Sequence, residues 1–439
     1  MSTSGTDLIA DLQARGLIAQ MTGDGELAEH LSSGCRTLYC GFDPTADSLH
    51  IGSLVPLLAL RRFQQAGHKP IALVGGATGL IGDPSFKSQE RKLNTSDVVT
   101  SWVERIRAQV SRFVDFDAGE RSAEVVNNLD WIGKIDMLSF LRDVGKHFSV
   151  NNMVNKESVK QRLDREGAGI SYTEFTYMLL QSYDFAELNR LHDCTLQIGG
   201  SDQWGNITGG IDLTRRLNGK QVFGVTLPLV TKSDGTKFGK TETGTIWLDP
   251  AKTSPYAFYQ FWLNAADADV YNFLRYFTFL SIEEIEAIEI TDSEIQGRKT
   301  AQGILAREVT RLIHGETGLE AAERITEVLF SGDPSGGLES LTENDLEQLK
   351  QDGMPASDLG REELDGTPLT SLFADCGMVK AGREVKDALG RNAVIINGLS
   401  KGAEDNMKAV ECFSPENALY KRFFMVKLGK KKHHLFELV

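Results

Sequence analysis

This chain is short of cysteine, of long apolar runs and, relative to its acids, of basic charge. Its 439 residues carry five cysteines, Cys35, Cys40, Cys194, Cys376 and Cys412, an odd and scattered set with no Cys-x-x-Cys pair. That excludes a disulfide framework and a cysteine-rich zinc site, and it favours a reducing cytoplasm. No run approaches the roughly 18 apolar residues of a membrane span, and the best short stretch, Leu54 to Leu60, contains Pro56. The first residues place no basic segment before an apolar one, so no secretory signal is expected. Lys plus Arg number 47 against 61 Asp plus Glu, a net charge of 47 − 61 = −14. Such a chain is no generic polyanion binder, yet the run Lys421, Arg422, Lys427, Lys430, Lys431, Lys432 is locally basic, with no acid from 421 to 432. Local clustering of this kind, not the total charge, decides whether RNA is a partner.

What is present is ordinary globular material, 41% hydrophobic and 25% charged, long enough for about three domains. Residues 37–42 read as a strand. Residues 51–66 carry Ile51, Leu54, Leu57, Leu58, Leu60 and Phe63 close to a one-faced helical pattern, and 70–74 read as a second strand. Strand, helix, strand with a right-handed crossover implies a parallel sheet. The alternation continues to about 225, with helical material near 130–190 inserted between two halves of the sheet. Residues 226–330 hold a motif loop and a mainly helical domain, in which Gly315 suits a helix stop. Residues 331–366, rich in Gly, Asp, Glu, Ser and Pro, read as a linker with at most one short helix. A small module follows over 367–439.

Five segments carry chemistry-bearing side chains. His50-Ile-Gly52-Ser53 stands where a helix begins, and a helix N-terminus suits phosphate. There Gly52 is expected to let a ligand approach the backbone. Gly75-Gly-Ala-Thr78-Gly-Leu-Ile-Gly-Asp83-Pro follows a strand, which places Asp83 at the sheet's carboxyl edge. It lacks the Gly-x-Gly-x-x-Gly dinucleotide spacing. On a helix over 171–185, Tyr177, Gln181 and Asp184 stand at i, i+4 and i+7 and share one face. Such a carboxylate needs a partner if it is buried among Phe175, Met178, Leu179 and Phe185. Gln197-Ile-Gly-Gly200-Ser-Asp202-Gln203-Trp204 follows a strand and suits ribose hydroxyls. Lys232 and then Lys237-Phe-Gly-Lys240-Thr241 form a cationic loop able to stabilise charge on leaving oxygens, but it is not a P-loop. Each segment alone also fits a solvated turn or an amphipathic helix.

In this order, Tyr39-Cys-Gly-Phe-Asp-Pro-Thr-Ala-Asp-Ser-Leu-His50, the 75–84 loop, Gly199-Gly-Ser-Asp-Gln-Trp204 and Lys237-Phe-Gly-Lys-Thr241 resemble the bacterial tyrosyl-tRNA synthetase family, through nearly the whole chain. The resemblance implies a class I aminoacyl-tRNA synthetase with an α/β fold. A Rossmann-type parallel-sheet catalytic domain is followed by an α-helical domain and a small α+β RNA-binding module. It implies ATP with Mg²⁺, L-tyrosine and tRNA as ligands, usually a homodimer, and no editing domain. Two hallmark motifs depart from the family pattern: Ser53 replaces the second histidine of His-x-Gly-His, and Phe238, Gly239 and Thr241 alter Lys-Met-Ser-Lys-Ser while both lysines remain.

Carried over, Tyr39 and Asp184 meet the tyrosine hydroxyl, while Asp83, Tyr177 and Gln181 hold its ammonium group. Thr78 and Asn128 stand near the tyrosine pocket. Asp43, Asp202 and Gln203 line the carboxylate and ribose region, with Cys40, Gly200, Gly52 and Ser53 on the nucleotide side. Thr45 and His50 reach the terminal phosphate. Lys87, Arg91, Lys237, Lys240 and Thr241 close on pyrophosphate. Arg383, Lys386, Lys430, Lys431 and Lys432 face RNA. The alternatives are tryptophanyl-tRNA synthetase, a small-molecule adenylyltransferase with the same His-x-Gly motif, and a structural RNA chaperone or splicing cofactor built on the scaffold.

Overall fold

The computed structural model describes residues 5–83, 95–156, 159–160, 163, 169–233, 235, 238–241, 244–295, 297, 299–330, 337–429 and 432–439. The chain divides into two compact units, Met1–Asp249 with Asp267–Ile295, and Pro250–Ala266 with Gln296–Val439.

The first unit is built on a six-stranded sheet. Its strands are β1 (Gln20–Met21), β2 (Thr37–Phe42), β3 (Lys69–Val74), β4 (Glu124–Asn127), β5 (Cys194–Gly200) and β6 (Phe223–Leu227), in the order β1-β6-β5-β2-β3-β4. β2 pairs in parallel with both β3 and β5, β3 with β4, and β5 with β6; only the edge strand β1 runs antiparallel. The chain therefore winds outward from β2 to β4, then crosses back to start again at β5. Side by side, β2 and β5 form the topological switch point, and open α/β sheets bind ligands beyond the strand ends there.

Apolar burial explains the strands and their covering helix. Leu38, Leu54, Leu57, Leu60, Phe63 and Ile71 are wholly buried. Each such side chain contributes roughly 1.5–3 kcal/mol relative to exposure. The helix Leu54–Gln65 continues from a 3₁₀ turn at Ile51–Ser53. Between β4 and β5 the crossover is helical and ends in the long helix Tyr172–His192. Ser171 caps its start by accepting the Glu174 N–H at 3.2 Å, and Asp193 ends it in the left-handed region at φ 50°.

The second unit begins with the helix Pro255–Leu263, capped by Ser254 and with proline at its first turn. The helical run Ala301–Phe330 breaks at Gly315, whose φ of 71° and ψ of −178° are not helical. Residues 338–364, expected as linker, are instead structured. They carry the helix Glu343–Gln348 and a strand, β7 (Ala356–Leu359). Leu338, Leu341, Leu346 and Leu349 pack in one core with Phe423, Met425 and Leu435, and this burial outweighs the turn-rich composition. β7 pairs in parallel with β11 (Lys432–Leu438) at the edge of a five-stranded sheet completed by β8 (Val394–Ile396), β9 (Leu399–Lys401) and β10 (Phe423–Leu428). The terminal module thus takes in residues before 367. The expected helical domain is also interrupted, since Asp267–Ile295 groups with the first unit.

Candidate active site

A cavity opens at the switch point, beyond the carboxyl ends of β2 and β5. Tyr39 and Cys40 reach it from β2, Asp43 from the turn after it, Gln197, Gly199 and Gly200 from β5, and Tyr177, Gln181 and Asp184 from the helix Tyr172–His192. Asp83, Thr78 and Gln203 complete the polar lining.

At its inner end Asp184 is buried, 1% exposed. Its Oδ1 accepts the Trp131 indole N–H at 2.7 Å and its Oδ2 an Asn128 amide N–H at 3.0 Å. Burial pushes the Asp184 carboxyl up to about 8, reinforced by the charges of Asp43 and Glu187, while the two N–H donors pull the other way. Beside it the Tyr39 hydroxyl is buried without a hydrogen-bond partner among the described residues, as is Oε1 of Gln197. Burial, then the charge of Asp184, raises the Tyr39 phenol well above its ordinary value. It is therefore a neutral hydroxyl with donor and acceptor capacity unspent. A buried polar group without a partner costs about 1–3 kcal/mol, so two of them in one cavity fit a site built to hydrogen-bond a ligand.

A chain of hydrogen bonds links this end to the next. Asn128 uses its second N–H on Thr78 Oγ1 at 3.0 Å, and its carbonyl accepts the Ala77 N–H at 2.8 Å. Thr78 donates to Asp43 Oδ1 at 2.7 Å, and the Tyr177 hydroxyl donates to Asp43 Oδ2 at 2.6 Å. Asp43, expected in the carboxylate and ribose region, thus spends both oxygens on holding Thr78 and Tyr177. On the opposite wall Gln203 donates to Asp83 at 2.8 Å and to Asp202 at 3.3 Å. Asn206 joins Gln181 and Gln203 at 3.0 and 3.1 Å. Burial pushes the Cys40 thiol up to about 12, so it is no nucleophile.

After β2, outside the cavity lining, Thr45 and His50 are exposed and Ser53 is half-buried. His50 Nδ1 accepts the Gly52 N–H at 3.0 Å. A neutral imidazole accepting there carries its proton on Nε2, which is then a donor. The expectation that Gly52 admits a ligand is corrected: a Cβ on Gly52 would lie 2.8 Å from His50 Cε1, so the His50 ring itself occupies that space.

The cationic loop meets the same turn. Phe238 is buried and stacks on Phe277 at 5.3 Å. Gly239 adopts φ 78°, and a Cβ there would come within 2.4 Å of Ile51 Cγ2. The Ile51 N–H donates to the Ile246 carbonyl at 2.9 Å, and the Ile246 N–H to that of Gly239 at 3.1 Å. Two of the three departures from Lys-Met-Ser-Lys-Ser therefore have local reasons: Phe238 anchors the loop, and only glycine fits against Ile51. The backbone of Lys240 and Thr241 pairs in a two-stranded ribbon with Gly244–Thr245. Lys87, Arg91, Lys237, Lys430 and Lys431 lie outside the described residues.

In the terminal module, Arg383 and Lys386 are exposed on the helix Gly382–Leu389, whose Val385, Ala388 and Leu389 are buried. Lys432 is paired with Glu384 at 2.7 Å. Arg422, counted in the basic run, bonds to Glu343, Glu347 and Glu437. The free positive charge is smaller than the sequence run suggests. Two residues are not among the expected site residues: Gln197, which lines the cavity, and Trp131, which bonds Asp184. The one visible signal is a lone polar Gln inside the apolar strand Cys-Thr-Leu-Gln-Ile.

A doubly wound sheet with its polar cavity at the switch point, a His-x-Gly turn leading into the helix after β2 and a loop packed against that turn define a class I aminoacyl-tRNA synthetase. The family described as tRNA synthetases class I (W and Y) matches residues 33–331. The tyrosine–tRNA ligase of Aliivibrio salmonicida is 65% identical over 434 residues, 99% of each chain. That of Pectobacterium carotovorum is 59% identical over 430 residues, 98% of each. Among solved structures, a C-terminally truncated mitochondrial tyrosyl-tRNA synthetase of Aspergillus nidulans superposes with a TM-score of 0.66 at 30% identity, covering 74% of this chain and 94% of that one. The chain belongs to the tyrosine–tRNA ligase family of class I synthetases.

Proposed function

We propose that the cavity holds L-tyrosine with its phenolic hydroxyl between Tyr39 and Asp184 and its ammonium group toward Asp83, Tyr177 and Gln181. The reaction is that of the family: a tyrosine–tRNA ligase. The tyrosine carboxylate attacks the α-phosphorus of ATP, the bond to the bridging oxygen breaks, and pyrophosphate leaves with the electron pair. A terminal ribose hydroxyl of tRNA then attacks the acyl carbon and AMP leaves. The observation that carries the placement is the Tyr39 hydroxyl, buried and without a partner among the described residues, beside the Asp184 carboxyl, which accepts one N–H on each oxygen. Gln197 adds a second unspent acceptor in the same cavity.

The carboxylate nucleophile is ionised at neutral pH, so no general base is needed. Positioning and charge stabilisation suffice. Asp202, Gln203, Gly200 and Cys40 take the adenosine side, with Ser53 in place of an imidazole. Thr45, His50 Nε2, Lys87, Arg91, Lys237, Lys240 and Thr241 take the phosphates, and ATP enters as its magnesium complex. A contact made only in the transition state is worth roughly 3–4 kcal/mol. Phenylalanine would leave the buried polar groups unpaired; the handicap of such an analogue is documented for tyrosyl-tRNA synthetase itself. An indole would likewise bring no phenolic hydroxyl to Tyr39, which disfavours tryptophan.

Arg383, Lys386 and the terminal lysines bind tRNA phosphates, which makes tRNA affinity fall with salt. Exposed Met137, Leu138, Leu141, Val150 and Tyr172 suit a homodimer contact. The setting is the cytoplasm; no described helix is long and apolar enough to cross a membrane. The decisive assay is amino-acid-dependent pyrophosphate exchange across a panel of amino acids. Exchange with tyrosine alone supports the placement, and comparable exchange with phenylalanine or tryptophan removes it.

A further inference from the structure

A second cleft lies at the opposite rim of the same sheet. It is lined by Arg61, Gln64 and Gln65 from the end of the helix Leu54–Gln65, and by Arg112, Asp115 and Arg121 from the segment between the helix Ser96–Val110 and β4. That segment leads into the amino end of β4, and the helix Leu54–Gln65 leads into the amino end of β3. The active-site cavity stands beyond the carboxyl ends of the strands.

The cleft is built. Gln64 donates to the carbonyls of Asp115 at 2.6 Å and Arg121 at 2.8 Å, and it accepts the Asp115 N–H at 2.8 Å. One buried amide thus pins the loop that carries two of the wall residues. Arg61 is oriented as well, its guanidinium 5.0 Å from the centre of the Phe279 ring.

The cleft concentrates positive charge in an acidic chain. Of the other arginines in the first unit, Arg15, Arg105 and Arg190 end on Asp11, Asp47 and Glu187, whereas Arg36 and Arg62 end on backbone carbonyls. Among the described residues, Arg61, Arg112 and Arg121 form no ion pair. Three guanidinium groups and one carboxylate, that of Asp115, line this cleft in a protein of net charge −14. Guanidinium forks match phosphate oxygens in pairs. The neighbouring loop bears Asp115, Asp117 and Glu120, all exposed. That acidic rim repels a long polyanion lying across it, but not a compact anion that reaches inside.

We propose that this cleft binds a small free oligophosphate anion, separately from the catalytic cavity. The test uses the full-length protein with its active site filled by a stable tyrosyl-adenylate analogue. Inorganic tripolyphosphate is titrated calorimetrically at low salt, and a short RNA forms the second arm. The expected result is one tripolyphosphate per chain. The double variant Arg112→Gln/Arg121→Gln, with both positions exposed, weakens that binding at least tenfold while tyrosine-dependent pyrophosphate exchange stays within about twofold. Absence of binding to the filled protein, or equal affinity in the double variant, overturns the proposal. So does RNA affinity that depends on the two arginines while tripolyphosphate does not bind.

Discussion

Trp131 donates its indole N–H to Oδ1 of Asp184 at 2.7 Å, with both residues almost completely withdrawn from solvent. That bond, with the one from Asn128, is what the protein sets against the cost of burying a carboxylate. It keeps a hydrogen-bond acceptor fixed at the depth where a phenol would end.

Trp131→Phe keeps the ring and deletes the donor. Leaving a buried acceptor without its donor costs about 1–3 kcal/mol, so tyrosine affinity should fall between about fivefold and a hundredfold, with ATP affinity unchanged. Equilibrium dialysis with each ligand separately checks this. An equal loss for both ligands would mean general disruption of the domain.

Tyr39→Phe has two effects of opposite sign. The hydroxyl has no hydrogen-bond partner among the described residues, so its removal should raise the melting temperature without ligand. The same change should lower the tyrosine-over-phenylalanine ratio in pyrophosphate exchange, because an unpaired group no longer penalises phenylalanine. Calorimetry and exchange on the one variant give both readings.

Gly239→Ala meets a left-handed backbone and Ile51 at 2.4 Å. The loop must shift, and with it the lysines beside it. The expected outcome is a fall in kcat of about 10² or more, the size of one lost charge-stabilising contact, with tyrosine affinity kept within about twofold. Stopped-flow measurement of adenylate formation separates the two quantities.

His68 sets part of the acid limit. Burial, aided by the charges of His30 and Arg36, lowers its pKa to about 4, and its Nδ1 accepts the Arg36 N–H at 3.3 Å. The unfolded chain protonates this group near 6.5. Between those values the unfolded state binds more protons, so stability is full above about pH 6.5 and falls as pH drops toward 4. The loss is on the order of 3 kcal/mol. Urea midpoints against pH should show a shallower acid limb in His68→Gln than in the parent protein.

The sheet was legible because its signals are local. Alternation and length mark β2, β3 and the helix between them, and ordered motifs mark the residues that meet in the cavity. Trp131 and Gln197 were not legible, because which buried polar atom finds a partner depends on contacts far apart in sequence. Residues 338–364 were misread because their elements are too short for a periodic signal, although their leucines are what the core uses. The basic tail looked stronger than it is because Glu343, Glu347 and Glu384 approach it only in three dimensions. The altered lysine motif became intelligible only when Gly239 was seen against Ile51.

Asp184→Asn puts the placement of the phenol to its most direct trial. Tyrosine-dependent pyrophosphate exchange should be compared in this variant and its parent at saturating ATP, with circular dichroism confirming the fold. The amide changes shape little but turns an acceptor into a donor facing the Asn128 and Trp131 N–H groups. The expected result is a loss of at least about 10² in kcat/KM for tyrosine, on the scale of buried hydrogen-bonding groups left unpaired, with the spectrum unchanged. Exchange within a few-fold of the parent would mean that tyrosine is held elsewhere.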